Sequence, residues 1–273
     1  MELIFHHLYK YLKNNLVLND INFSIKSTKL AIVGHNGSGK TTLLSLISGL
    51  LRPDAGYVMI DGIEPYFERQ RIVKHISFTF EKGDYPYNMN VGEYIKFLKK
   101  IRDEKIVSEI VNILRISKFE NSSMKELSSG QAQLLYLLSA LTSNSPIVVL
   151  DEPFNHLDPA KYVKIINFIQ RMEKEMIIST QNFSEAEELC DDYIVLKEGA
   201  VIWKGTREDL YSSNLYEIYL NGRIDSGIKI IQEMGKMVIA EADIDYLIKL
   251  LKEGKILGFK KAGLRSIENI WRD

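Results

Sequence analysis

A single cysteine, Cys190, occurs in the 273 residues, so no internal disulfide braces the chain. Its place in a predicted helix reads as a packing residue of a protein kept in a reducing compartment. No apolar run approaches the ~18 residues needed to cross a bilayer as a helix, and no secretory leader is recognisable, so any membrane role is expected to come through another chain. Charge of one sign is not in excess: 35 Lys and Arg stand against 36 Asp and Glu, a net charge of −1 that suggests no general nucleic-acid binding. Internal repeats and low-complexity tracts are missing. So is the Asn-Lys-x-Asp guanine motif of GTPases, since Asn155-His156-Leu157-Asp158 has histidine in place of lysine. With 45% hydrophobic and 26% charged residues, the chain is long enough for a main core and a smaller accessory domain.

Against this background, Leu30 to Thr42 stands out as an apolar strand, a glycine-rich loop (Gly34-His35-Asn36-Gly37-Ser38-Gly39), then Lys40, Thr41 and Thr42 opening a leucine-rich helix. Phosphate oxygens need several donors at close range, and Gly34, Gly37 and Gly39 let backbone N–H groups turn inward. The segment reads as a phosphate-binding P-loop, with Asn36 and Ser38 in the cradle, Lys40 reaching the terminal phosphates and Thr41 holding Mg²⁺. About a hundred residues on, Ile147 to Leu150 form an apolar run ending in Asp151 and Glu152. A continuous apolar run suits a strand buried on both faces of a parallel sheet. In a P-loop enzyme Asp151 would bind the Mg²⁺ shell, and Glu152 would polarise the attacking water.

Between these lies Leu127-Ser128-Ser129-Gly130-Gln131, followed by Leu134, Leu135, Leu138 and Leu141 at helical spacing. This resembles the Leu-Ser-Gly-Gly-Gln signature of the ATP-binding-cassette (ABC) ATPases, with Ser129 in place of the first glycine. The resemblance spans about residues 2–222 and implies a P-loop α/β fold with a RecA-like sheet, an antiparallel β subdomain and a helical subdomain. It implies ATP and Mg²⁺ as ligands. Ser128, Ser129, Gly130 and Gln131 would meet the γ-phosphate held by a second ATPase subunit, identical or homologous, in a head-to-tail dimer. Ser128 as an ordinary helix N-cap is compatible with that role.

Other landmarks follow the family pattern, with departures. Tyr11 stands where these proteins place an aromatic on adenine, with Tyr9 as a second candidate and strand packing as the alternative for either. After Ile76 to Phe80 the family has a glutamine that contacts Mg²⁺ and the attacking water and opens a loop touching the membrane partner. Here the residue is Glu81, a harder metal ligand. Asn155 to Asp158 matches the loop that crosses the dimer interface, and Asp158 before Pro159 also fits a plain helix N-cap. Gln181 replaces the family's switch histidine; an amide donates a hydrogen bond but carries no titratable proton. ATP binding should survive that change and hydrolysis should slow. A heterodimer with a second ATPase chain and a tolerated variant in a slow enzyme both remain open.

The expected organisation is an ATPase domain over 1–222, with strands in residues 2–33, a Val58 to Ile63 hairpin turning at Asp61-Gly62, and a helical subdomain at about 84–140 with Val91, Tyr94, Ile95 and Leu98 on one face. Gly83 to Asn88 is either a structural turn or part of the groove for the transmembrane partner. Ser184 and Glu187 form a capping-box pattern. A small α/β extension follows over 223–273, with strands at Met237 to Ala240 and Lys255 to Phe259, a helix from Ile244 to Glu253 and another starting at Ser266. Lys255, Lys260, Lys261 and Arg265 read there as a solvated basic face. The resemblance thus implies a transport ATPase, cytoplasmic and peripheral on the inner face of the membrane, docked on an integral membrane subunit. Export of a peptide, drug or lipid-like molecule is expected from the extension alone. The alternatives are an ABC ATPase acting on a cytoplasmic assembly, or one acting on nucleic acid or the ribosome, whose relatives carry a long insertion or two cassettes.

Overall fold

The computed structural model describes residues 1–79, 88–155, 157–222, 228–264 and 266. The chain opens with β1 (Glu2–Leu12) and β2 (Asn15–Lys26), enters the core as β3 (Lys29–Val33) and α1 (Lys40–Ile47), and returns to the edge as β4 (Ala55–Ile60). Next come α2 (Arg69–His75) and β5 (Ile76–Thr79), then three helices, α3 (Val91–Ile101), α4 (Glu104–Leu114) and α5 (Ser129–Leu141). The core resumes with β6 (Ile147–Asp151), α6 (Pro159–Arg171), β7 (Glu175–Thr180), α7 (Phe183–Leu189), β8 (Asp192–Lys197), β9 (Ala200–Thr206) and α8 (Arg207–Ser212). An appendage follows: β10 (Leu215–Leu220), β11 (Lys229–Met234), β12 (Met237–Glu241), α9 (Ile244–Lys252) and β13 (Ile256–Lys261).

Three sheets result among the described residues, and the six-stranded one, in the order β5-β6-β7-β3-β8-β9, positions the site. Its neighbours are parallel from β5 through β8, and β9 is antiparallel to β8. Because side chains alternate across a strand, each apolar run feeds two cores. Ala31, Val33, Val148, Leu150, Met176 and Ile178 pack with α5, α6 and the helical segment. Leu30, Ile32, Ile147, Val149 and Ile177 pack with Leu43, Leu44 and Ile47 of α1 and with Leu3, Phe5 and Val58 of the antiparallel sheet β2-β1-β4. Both faces are therefore covered, which is why these strands carry no polar alternation. In β2 the alternation does appear: Asn22, Ser24 and Lys26 are exposed between buried or half-buried Ile21, Phe23 and Ile25.

The helical segment bears out the expected face, since Val91, Tyr94, Ile95 and Leu98 are buried. Leu134, Leu135, Leu138 and Leu141 of α5 join the same core. Two local expectations need correction. Asp61 (φ 48°) and Gly62 (φ 73°) do make a tight turn, but only the single bridge Ile60–Ile63 closes it, because no strand follows. Nor do Ser184 and Glu187 form a capping box. The α7 cap is Asn182, whose side chain accepts from the Ser184 N–H, and Glu187 lies a turn further on. Its carboxylate instead accepts the Leu264 N–H at 2.7 Å and the Tyr211 hydroxyl at 2.9 Å.

Sheet pairing also places Leu215–Leu220 in the appendage, ahead of the division after residue 222 expected from sequence. β10 pairs with β12 and β13 in the order β11-β12-β10-β13. Tyr216 and Ile218 point into a core made with Val238, Ala240, Leu247, Leu250 and Ile256, so the strand has no business with the main sheet. The lysines expected as a basic face are engaged locally. Lys260 pairs with Glu217 at 2.9 Å, Lys255 with Glu253 at 2.9 Å, and Lys261 donates to the Ser213 carbonyl over the Tyr216 ring. Arg265 and the helix expected beyond Ser266 lie outside the described residues. No described helix is long and apolar enough to cross a membrane.

Glu187 is the polar hinge between appendage and core, so Glu187→Ala should leave the Leu264 N–H without its acceptor. The expected cost is about 1–3 kcal/mol, read as a lower urea midpoint. Amide exchange at Leu264 should accelerate while that of β3 and β6 stays as in the parent chain; equal protection at Leu264 would contradict the assignment.

Candidate functional site

The loop after β3 is placed by the sheet itself: the Gly34 N–H donates to the Thr180 carbonyl of β7 at 3.3 Å. Gly37 (φ 83°) and Gly39 (φ 104°) then turn the backbone through the left-handed region, and Gly39 caps α1. A Cβ at Gly39 would lie 2.8 Å from Leu18 Cδ2, so this turn needs glycine for both conformation and space. The Ser38 hydroxyl is buried here without a hydrogen-bond partner among the described residues.

Lys40 opens α1 and folds its side chain back under the loop. Its Nζ donates to the carbonyls of Gly34 at 2.7 Å and His35 at 3.2 Å, and lies 3.1 Å from Glu152 Oε1. The two carbonyls are hydrogen-bonded, whereas Glu152 Oε1, buried without a hydrogen-bond partner among the described residues, meets the ammonium as an ion pair. The side chains of Lys40 and Glu152 are only 6% and 12% exposed, so each charge is desolvated and depends on the other.

Glu152 sits just past β6 with φ 45°, a conformation that a side-chain-bearing residue adopts at a cost. Its N–H is held by Ser179, by the carbonyl at 3.2 Å and Oγ at 3.0 Å, and the Ser179 hydroxyl donates in turn to Asp151. The Gln181 N–H faces Glu152 Oε2 at 3.4 Å. Strand ends β6 and β7 thus over-determine the strained residue and aim its carboxylate at the loop.

A cleft of about 370 Å³ opens at this point. Of the residues expected from sequence it brings together Asn36, Gly37, Gly39, Lys40, Thr41, Thr42, Glu152 and Gln181. Asn155 and Val17 line it as well. From sequence, Asn155 belongs only to an interface loop and Val17 only to a strand. The signal for Val17 is non-local, because β2 reaches the loop through Gly199, whose carbonyl accepts the Asn19 N–H at 2.9 Å and whose N–H donates to the Ser38 carbonyl at 3.0 Å.

Other expected residues sit elsewhere. Asp151 is buried (2% exposed) behind the cleft on Ser179. Tyr11 is 47% exposed at the tip of the β1–β2 hairpin, paired with Leu16 beside Val17, and Tyr9 is half-buried on the same strand. Ser128 and Gln131 cap α5 reciprocally, with the Ser128 hydroxyl accepting from the Gln131 N–H at 3.3 Å and the Gln131 side chain from the Ser128 N–H at 3.0 Å. Ser129 and Gly130 form the first turn there, and none of the four lines the cleft. Asp158 caps α6 through the Lys161 N–H at 3.0 Å. Glu81, most of the Gly83 to Asn88 loop, and His156 lie outside the described residues.

A parallel sheet delivering a glycine loop, a buried lysine and a facing carboxylate to one cleft defines a P-loop nucleotide-binding protein. Comparison with known proteins makes this specific. The family model for ABC transporters matches residues 18–155. An ABC transporter ATP-binding protein of Methanocaldococcus jannaschii is 30% identical over 254 residues, covering 90% of this chain and 89% of its own length. A probable sulfate/thiosulfate import ATP-binding protein of Chlorella vulgaris is 27% identical over 221 residues, covering 77% of this chain and 93% of that one. Among solved structures, a dimeric ATP-binding cassette in a post-hydrolysis state bound to ADP and Pi superposes with a TM-score of 0.64 at 24% identity, over 75% of this chain and 98% of that one. The chain belongs to the ABC transporter family, as one of its ATP-binding subunits.

The Glu152 carboxylate pairs with Lys40 in this arrangement, where a phosphate would have to compete with it. Glu152→Gln should therefore bind ATP more tightly, by about tenfold, because an amide of the same shape attracts the ammonium far less. Calorimetric titration of both proteins checks this; weaker binding by the variant would contradict it.

Proposed function

We propose that this chain binds ATP with Mg²⁺ in the cleft, hydrolyses it, and thereby drives transport through a separate membrane subunit. The observation that carries the reading is Lys40, buried under a glycine loop and neutralised by Glu152. A desolvated lysine with a carboxylate for a partner is a phosphate site at rest: terminal phosphate oxygens would take the place of Glu152 at Nζ and free that carboxylate for chemistry.

The donor set suits Mg²⁺, which favours hard oxygen ligands. The Thr41 hydroxyl, Asp151 and Glu81 would hold it, and when bound it offsets the negative charge of the phosphates. Asn36, Gly37, Ser38, Gly39 and Thr42 would supply N–H and hydroxyl donors to the phosphates, and Tyr11 an aromatic face to adenine. Glu152 would accept a proton from water as the water oxygen bonds to the γ-phosphorus. The bond from that phosphorus to the β–γ bridging oxygen breaks, with its electron pair leaving on ADP. Gln181 would donate its amide to the γ-phosphate or the water. Ser128 to Gln131 are exposed or half-exposed at a helix N-terminus and outside their own chain's cleft, as suits residues serving the nucleotide of a second ATPase subunit. Asp158 would lie at the same interface.

The subunit would work in the cytoplasm, bound peripherally to the inner face of the membrane through its partner. For cargo, the appendage supports outward movement of a peptide, drug or lipid-like molecule. A second reading, import, draws on the sulfate/thiosulfate import protein among the relatives. ATP-dependent accumulation of cargo inside inverted vesicles carrying the complex would establish export, and ATP-dependent depletion would establish import.

Two variants test the ATPase reading. Lys40→Ala should lose MgATP binding by at least about a hundredfold while its circular dichroism stays that of the parent, since one charged donor to the phosphates is gone. Unchanged affinity in a folded variant would remove the P-loop assignment. Gln181→His should raise turnover, because an imidazole restores a contact with a pKa near neutrality. A fall in turnover, with Glu81 and with Glu81→Gln alike, would mean that Gln181 is adapted to this site.

A further inference from the structure

Glu185 is a half-buried carboxylate in the first turn of α7 that the proposed reaction does not use. Its Oε2 accepts the Thr180 hydroxyl at 2.6 Å, and its Oε1 accepts the Asn182 side-chain amide at 3.1 Å. Thr180 Oγ1 accepts the Asn182 backbone N–H at 2.9 Å, and Asn182 Oδ1 accepts the Ser184 N–H at 3.1 Å. These bonds close a ring around the turn that joins β7 to α7. Gln181 is the one residue between the two that Glu185 grips. Its N–H faces Glu152, and the residue lines the cleft.

The ring comes at a cost. Burial is the main reason that the Glu185 carboxyl stands above its ordinary range, and the nearby charges of Glu152 and Glu188 push the same way, against the two hydrogen bonds from Thr180 and Asn182. An acid placed beside a second acid in a partly dry turn is unfavourable unless it holds something in place.

We propose that Glu185 is a positioning residue for ATP hydrolysis, acting through Gln181: by clamping Thr180 and Asn182 it keeps the Gln181 N–H on Glu152 and Gln181 in the cleft. This rests on the reading of Glu152 and Gln181 as reacting groups. Glu185 lines no part of the cleft itself, so it bears on the rate of the chemical step and leaves nucleotide binding alone.

The test uses the full chain with MgATP and four variants: Glu185→Ala, Glu185→Gln, Gln181→Ala and the Gln181→Ala/Glu185→Ala double variant. Glu185→Ala should lower kcat by about tenfold or more while KM and the calorimetric Kd for ATP stay within about twofold. Glu185→Gln, which keeps an acceptor for Thr180, should recover most of the loss. Once Gln181 is Ala, adding Glu185→Ala should cost clearly less than it does in the parent chain, because only the backbone N–H of residue 181 is left for the clamp to hold. Additive losses, an unchanged kcat, or a fall in ATP affinity matching the fall in kcat would overturn the proposal. Amide exchange at Gln181 and Asn182 gives an answer independent of turnover: Glu185→Ala should accelerate it, and unchanged protection would overturn the clamp. A parent chain that binds ATP without turning it over would defeat the ATPase reading instead, and exchange alone would then decide the clamp.

Discussion

Burying one ammonium ion sets the terms for the rest of this structure. Lys40 is at the start of a helix, under a glycine-rich loop, and almost out of water. Such a charge is tolerated only where oxygens converge on it. Two carbonyls come from the loop and one carboxylate from the neighbouring strand end. The glycines, the strained Glu152 and the Ser179 contacts behind it all serve that convergence. A strand slipped by one residue would send Lys40 or Glu152 to the wrong face.

The parallel sheet makes the convergence possible. With both faces covered by separate apolar cores, β3, β6 and β7 end at one edge in fixed register, Asp151 beside Ser179 and Val33 beside Thr180. Three strand ends therefore bring Gly34, Glu152 and Gln181 together although they are far apart in the chain. α7 starts from this edge and runs to Glu187, where the appendage is tied on through Leu264. One two-turn helix thus adjoins Gln181 at one end and the appendage at the other.

Local chemistry was legible wherever a motif is contiguous. The glycine loop, Lys40, the apolar β6 run and the caps at Ser128 and Asp158 lie where their residues predict. Sequence and structure differ where a residue has two possible partners. Glu187 has capping-box spacing from Ser184, yet a distant N–H and a tyrosine hydroxyl claim it. Leu215–Leu220 reads as core because it follows the core in sequence, but Tyr216 and Ile218 find their apolar neighbours in the strands and helix that come after.

By itself the sequence determined the local parts: glycines that permit the turn, a lysine and hydroxyls at the mouth of a helix, carboxylates after a strand buried on both faces, and the family to which these belong. Only the tertiary structure decided which groups meet. Pairing across strands put Lys40 against Glu152, set Val17 and Asn155 in the cleft, drew Asp151 back onto Ser179 and closed the Glu185 ring around Gln181. Propensity and motif depend on neighbours along the chain, whereas the partner of a desolvated polar group is settled by whatever the folded sheet carries within about 3 Å of it.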